Sequence, residues 1–164
     1  MTLHTMLLAA AAVSFALPAL AESAITITDP YARFMPGAKA GAAFMVIENT
    51  GTEDDRLIDA RADISVKTEL HTHKAGDGGM MQMVHVPEGF PIPAGASHAL
   101  ARGGDHVMFM GLKSMPRQGD MIPLTLVFEK AGEVQVEVPV DMMREDAPMQ
   151  GGMGAGHMHG QTNP

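Results

Sequence analysis

The chain has 164 residues, no cysteine, and a net charge of −8 from 11 basic and 19 acidic side chains. That length suits one domain with one core. The acidity argues against nucleic acid as a partner, since phosphate is repelled. The missing thiols exclude disulfides, thiolate zinc sites, iron–sulfur clusters, blue-copper sites and cysteine nucleophiles. Sixteen Met and eight His stand against six Phe, one Tyr and no Trp, so the unusual side chains are thioethers and imidazoles.

Residues 1–21, MTLHTMLLAAAAVSFALPALA, predict a secretory signal peptide. An apolar run from Met6 to Leu17 precedes Pro18, and Ala19 and Ala21 are the small residues a signal peptidase reads, so cleavage is expected after Ala21. The stretch departs from the usual pattern in carrying only the α-amino group and His4 as its positive start. The run is too short to span a bilayer comfortably. No lipobox cysteine is present. The expectation is a soluble periplasmic protein, not a lipoprotein, with one domain over residues 22–144.

From residue 24 to 140 the sequence reads as all-β. Short runs rich in Val, Ile and Thr are separated by Gly, Pro and Asp clusters. The strand candidates are Ala24–Thr28, Ala42–Glu48, Arg56–Ile58, Lys67–His73, Met80–Val86, Ser97–Ala101, His106–Leu112, Ile122–Glu129 and Glu133–Val140. In the last pair Leu124, Leu126 and Phe128 alternate with Thr125 and Val127, and Val134, Val136, Val138 and Val140 with Gln135, Glu137 and Pro139. Lys130-Ala131-Gly132 turns between them as a hairpin. Many short, evenly spaced strands imply a sandwich or small barrel. Asp54-Asp55 reads as a solvated turn, since no further carboxylates follow at the spacing of a calcium loop. Gly103-Gly104 reads as a turn, with no helix or Lys to make a phosphate loop.

Residues two apart on a strand share a face. His71 and His73 therefore point one way on the first of three strands. Met81, Met83 and His85 share a face on the second, and His106, Met108 and Met110 on the third. The Gly-rich link Lys74–Gly79 lets the first two pair as a hairpin. From about Glu145 the chain reads EDAPMQGGMGAGHMHGQTNP, a composition unable to bury a core. It predicts a disordered C-terminal tail over 145–164 that still offers Met149, Met153, His157, Met158 and His159 to a metal. Thioether and neutral imidazole suit Cu(I). Zinc prefers His with Cys or carboxylate, and calcium and magnesium want oxygen. A His/Met set without Cys therefore points to copper that is bound and released.

These residues resemble the periplasmic PCuAC family of copper chaperones. The family's hallmark is a His, then after about ten residues a Met, then further along a His-x-Met; here His71 leads to Met83 and to His106-Val107-Met108, with one extra residue before Met83 in the Gly-rich turn, where insertion is cheap. The flanks are similar too: Gly41-Ala42-Ala43-Phe44, Ile47-Glu48-Asn49-Thr50-Gly51, Thr68-Glu69-Leu70-His71, Met110-Gly111-Leu112-Lys113 and Pro123-Leu124-Thr125-Leu126. The likeness covers roughly residues 24–140. It implies a cupredoxin-like Greek-key β-barrel holding Cu(I) near its surface through His71, Met83, His106 and Met108. It also implies copper supply to the CuA-bearing subunit of cytochrome c oxidase, alongside a Sco-type thiol protein. The tail resembles family extensions that take up Cu(II). His73 and His85, with Met81 and Met110, lie outside the four-residue motif. Each is either an additional ligand or an ordinary strand residue.

Rival functions leave weaker traces. A copper-sequestering resistance protein would use the same ligands without a dedicated acceptor. A polysaccharide monooxygenase needs a mature N-terminal His, whereas cleavage after Ala21 leaves Glu22. A hydrolase lacks G-x-S-x-G, and Ser97-His98 face opposite sides of a strand. The sequence therefore predicts a monomeric binding protein and no enzyme.

Overall fold

The computed structural model describes residues 24–145; the expected signal segment 1–21 and the tail donors Met149, Met153, His157, Met158 and His159 lie outside the described residues. The described chain is all-β. Its strands are β1 (Ile25–Phe34), β2 (Ala40–Asn49), β3 (Asp55–Arg61), β4 (Ser65–Ala75), β5 (Met81–His85), β6 (Phe90–Ile92), β7 (Ser97–Leu100), β8 (His106–Leu112), β9 (Met121–Phe128) and β10 (Gly132–Pro139). One sheet runs β1-β2-β8-β4-β5, with β7 beside the other half of β2, and the second runs β10-β9-β3-β6. β8 lies between β2 and β4, so its neighbours are distant in sequence. Such long connections between antiparallel strands make the Greek-key sandwich that the sequence predicts. A parallel bridge between Ala32 and Val140 joins the two sheets along one side.

Strand alternation builds the core. Ile122, Leu124, Leu126 and Phe128 of β9 are buried, as are Leu70, Val107 and Phe109 of the first sheet, and all belong to one cluster. Burying each such side chain contributes about 2 kcal/mol. The exposed Arg61–Glu133 ion pair at 2.8 Å adds well under that. The sheets are therefore held by the inward faces, and the outward faces are left for other uses.

Three local features differ from the sequence reading. β1 does not stop before Asp29-Pro30; the pairing with β2 shifts register between Thr28 and Tyr31 and resumes. A bulge with Asp29 at φ 51° absorbs the two residues. β6 is an additional strand, obscured by Pro91 at its centre. It sits at a sheet edge, where a missing N–H is tolerated. Asp55, read as a solvated turn, is buried. Its carboxylate accepts backbone N–H groups from Arg56 at 2.7 Å, Lys130 at 2.9 Å and Ala131 at 2.9 Å. It fastens the β9–β10 turn to the start of β3.

Replacing Asp55 by Ala leaves those donors unpaired. We expect Asp55→Ala to lose on the order of 2–3 kcal/mol of stability, read from urea midpoints, while Asp54→Ala, with one bond to Ala94 N, loses less.

Candidate metal centre

The centre is set by how three strands align in the first sheet. β4 pairs with β8 so that His71 faces His106, Glu69 faces Met108 and Lys67 faces Met110. β4 pairs with β5 so that His71 faces His85, His73 faces Met83 and Ala75 faces Met81. All these residues lie on the outer face, because Leu70 and Val107 between them are turned into the core. The β4–β5 hairpin closes through a single 3-10 turn at Asp77–Gly79. Gly78 and Gly79 there take φ of 83° and 79°, which only Gly adopts at low cost.

The sheet therefore brings His71, His73, His85, His106, Met83 and Met108 together. Ring centroids lie 6.0 Å apart for His71 and His106, 5.1 Å for His73 and His106, and 5.7 Å for His71 and His85. With metal–nitrogen bonds of about 2 Å, rings at these separations are close enough to share one ion. Met81 and Met110 are placed apart. Met81 stands at the far end of the hairpin, 60 % exposed, and Met110 lies two residues beyond Met108, between Lys67 and Ala40.

Hydrogen bonds decide which ring nitrogens are available. The His106 Nδ1–H donates to the Gly104 carbonyl at 3.0 Å, and His73 Nδ1 meets the same carbonyl at 3.3 Å. The His71 Nε2–H donates to the Glu69 carboxylate at 3.1 Å. This leaves His71 Nδ1 and His106 Nε2, both buried and both without a partner. A buried polar atom left unpaired costs about 1–3 kcal/mol and calls for an explanation such as an ion. Two lone pairs stranded on one face suit a soft cation. Among the described residues no three His, Asp or Glu side chains form a metal cage by themselves; the thioethers of Met83 and Met108 line the same cleft as His73 and His106.

Electrostatics keep these donors ready. Burial pushes the His106 imidazole below its ordinary value, against the pull of the Gly104 carbonyl, and positive charge on His73 and His71 pushes the same way. His106 is 1 % exposed, and that burial favours the neutral ring. Glu69 is held below the usual carboxylate range, first by its contact with Lys67 and then by the His71 hydrogen bond. His85 Nε2 lies 3.8 Å from the same carboxylate. Glu69 and the Gly104 carbonyl lie outside the His/Met pattern of the sequence. Glu69 stands two residues before His71 on the same face, so strand periodicity was a usable signal; nothing in the sequence reveals where a carbonyl points.

The centre opens into a cleft of about 680 Å³ whose walls include Phe34, Met35, Phe44, His73, Met83, His106 and Met108. Gly41 in that wall leaves room for the Phe34 ring; a Cβ there would sit 2.2 Å from Phe34 Cδ1. The loop before β8 is tied by Ala101 N to Asp105 O at 2.8 Å and Gly104 N to Ala101 O at 3.0 Å. His98 Nε2 pairs with the Asp105 carboxylate at 2.9 Å, which anchors the same loop to β7.

The lowered His106 value fixes the sign of a pH effect. Between its ordinary value of 6.5 and its folded value, the unfolded chain binds the extra proton. Stability is therefore full above that range and is lost as pH falls through it. Urea midpoints of the metal-free protein should drop between pH 7.5 and 5, and His106→Asn should flatten that drop.

Comparisons with known proteins agree with this architecture. The family model described as "Putative lipoprotein LpqE-like" matches residues 25–140. A curated relative, "Putative lipoprotein Lxx21020" of Leifsonia xyli subsp. xyli (strain CTCB07), is 36% identical over 104 residues, which span 63% of this chain and 62% of the relative. The copper-bound PCuAC domain from PmoF2 superposes with a TM-score of 0.59 at 26% identity, covering 72% of this chain and 92% of that domain. The solution structure of CuI-DR1885 from Deinococcus radiodurans gives 0.57 at 30% identity, covering 80% and 84%. The fold is thus the cupredoxin-like one of PCuAC domains. The 164 residues contain no cysteine, the residue that carries the lipid of a bacterial lipoprotein. With the family model spanning most of the described sandwich, the chain belongs to the LpqE-like family.

Proposed function

We propose that this chain is an exported copper metallochaperone. It takes Cu(I) on the outer face of its first sheet and hands it to the CuA centre of cytochrome c oxidase. The observation that carries this reading is the pair of buried, unpartnered ring nitrogens, His71 Nδ1 and His106 Nε2, beside the thioethers of Met83 and Met108. That donor set is soft and lacks thiolate, which favours Cu(I) over zinc. Support also comes from the similarity to PCuAC domains, one of them described as copper-bound and one as carrying Cu(I).

The residues divide the work by exposure. His106 is buried and anchored through Gly104, so it is the last ligand to let go. Met83 is 46 % exposed on the edge strand β5, so an acceptor's thiolate or imidazole displaces it first. His73 and His85 stand close enough to receive the ion during such an exchange. Proton transfer plays no part beyond keeping the imidazoles neutral, and no catalytic role is assigned. Export through residues 1–21, a periplasmic location, a monomeric state and a Sco-type thiol protein as reductant complete the reading. The tail captures Cu(II) through the imidazoles of His157 and His159, with the thioethers of Met149, Met153 and Met158 beside them as softer donors, and its tether raises the local copper concentration at the folded site. A sequestering protein without an acceptor would share the centre. Transfer to an apo CuA domain separates the two.

Anaerobic Cu(I) titration against a chromogenic chelator tests the site. One tight equivalent is expected, weakened at least tenfold in Met83→Ala and His106→Ala, and weakened by acid, because protons compete with the ion for the ring nitrogens. Binding indifferent to both substitutions would refute the site. A chain ending at Arg144 should keep Cu(I) affinity and lose Cu(II) uptake; unchanged Cu(II) uptake would refute the role of the tail.

A further inference from the structure

The copper-site motif contains no carboxylate, yet one lies in the middle of this donor face. The Glu69 side chain is 13 % exposed. One oxygen accepts the His71 Nε2–H at 3.1 Å, and the other contacts Lys67 and lies 3.8 Å from His85 Nε2. A carboxylate only accepts here, so His71 must carry its proton on Nε2. Its lone pair is then on Nδ1, the nitrogen that is buried without a partner. His106 is oriented in the opposite sense, with Nδ1–H on the Gly104 carbonyl and Nε2 left free. The two rings thus present different nitrogens, and each choice is fixed by a hydrogen bond on the far side of the ring. Metal-bound histidines commonly depend on such an outer partner, and its loss typically costs 10–100-fold in affinity.

We infer that Glu69 is a positioning residue for the copper site: it locks the His71 ring in the Nε2–H form and aims Nδ1 at the ion. This rests on the reading of the face as a Cu(I) site and adds which atom of His71 binds and what holds it there. Lys67 serves the carboxylate only from outside, as it touches the oxygen turned towards His85. An amide in place of Glu69 keeps the size of the side chain and loses the charge. It also offers an N–H that can satisfy the opposite tautomer, so the ring is no longer committed.

Long-range 15N NMR of the imidazoles, on the full chain without metal at pH 7.5, tests the orientation with no substitution. His71 Nδ1 should resonate as an unprotonated nitrogen and Nε2 as a protonated one. One equivalent of Cu(I) should then move His71 Nδ1 and His106 Nε2. Glu69→Gln should give a mixed His71 tautomer and a 10–100-fold weaker Cu(I) affinity. Lys67→Met should leave the tautomer and affinity near those of the unaltered chain. A proton on His71 Nδ1 in the unaltered chain, or a Glu69→Gln variant with the same tautomer and affinity, would overturn the assignment. If the unaltered chain showed the expected tautomer but bound no Cu(I), the copper reading itself would fall, and the positioning role with it.

Discussion

The register between β4 and β8 is the constraint on which the centre depends. It places His71 opposite His106 and Leu70 opposite Val107, so the histidines share the outer face while the apolar pair enters the core. A slip of one residue would reverse every side chain of β4. Leu70 would go into solvent and His71 into the core. The hydrophobic core therefore selects the register, and the donor face follows from the same choice. Folding and the proposed metal binding are served by opposite faces of one strand.

What the register assembles, a second set of polar contacts refines. The outer face holds more soft donors than one ion needs, and geometry alone does not order them. The Gly104 carbonyl and the Glu69 carboxylate do so, by taking the N–H of His106 and His71 and leaving one lone pair on each ring. The loop supplying Gly104 is itself fixed by its own backbone bonds and by the His98–Asp105 pair. Exposure then grades the donors, from the buried His106 to the half-exposed Met83 on the edge strand. On the proposed reading, that gradient leaves the site firm enough to hold a soft ion and open enough on one side for a competitor to enter.

Much of this was legible in the sequence. Alternation with period two located the strands, because inward positions must be apolar. It also put His71 with His73, Met83 with His85, and His106 with Met108, since a strand gives each residue pair no other choice. What escaped depends on through-space partners. The pairing of β4 with β8 joins residues as distant in sequence as Ser65 and Leu112, and no local pattern encodes it. The Gly104 carbonyl is backbone, identical in kind to every other carbonyl until the fold aims it. Asp55 read as a surface acid, because two of its three backbone donors, Lys130 and Ala131, come from a turn far along the chain. β6 was hidden by Pro91, and the continuation of β1 by Asp29-Pro30, where a bulge overrides the local signal.

On the proposed reading, imidazole nitrogen and thioether sulfur bind the same ion on the folded face. Copper K-edge X-ray absorption of the protein loaded anaerobically with one equivalent of Cu(I) tests it most directly. The expected first shell contains both nitrogen and sulfur, with imidazole multiple scattering, and loses its sulfur scattering when Met83 and Met108 are both replaced by Ala. A shell of nitrogen and oxygen alone, or of sulfur alone, would contradict it.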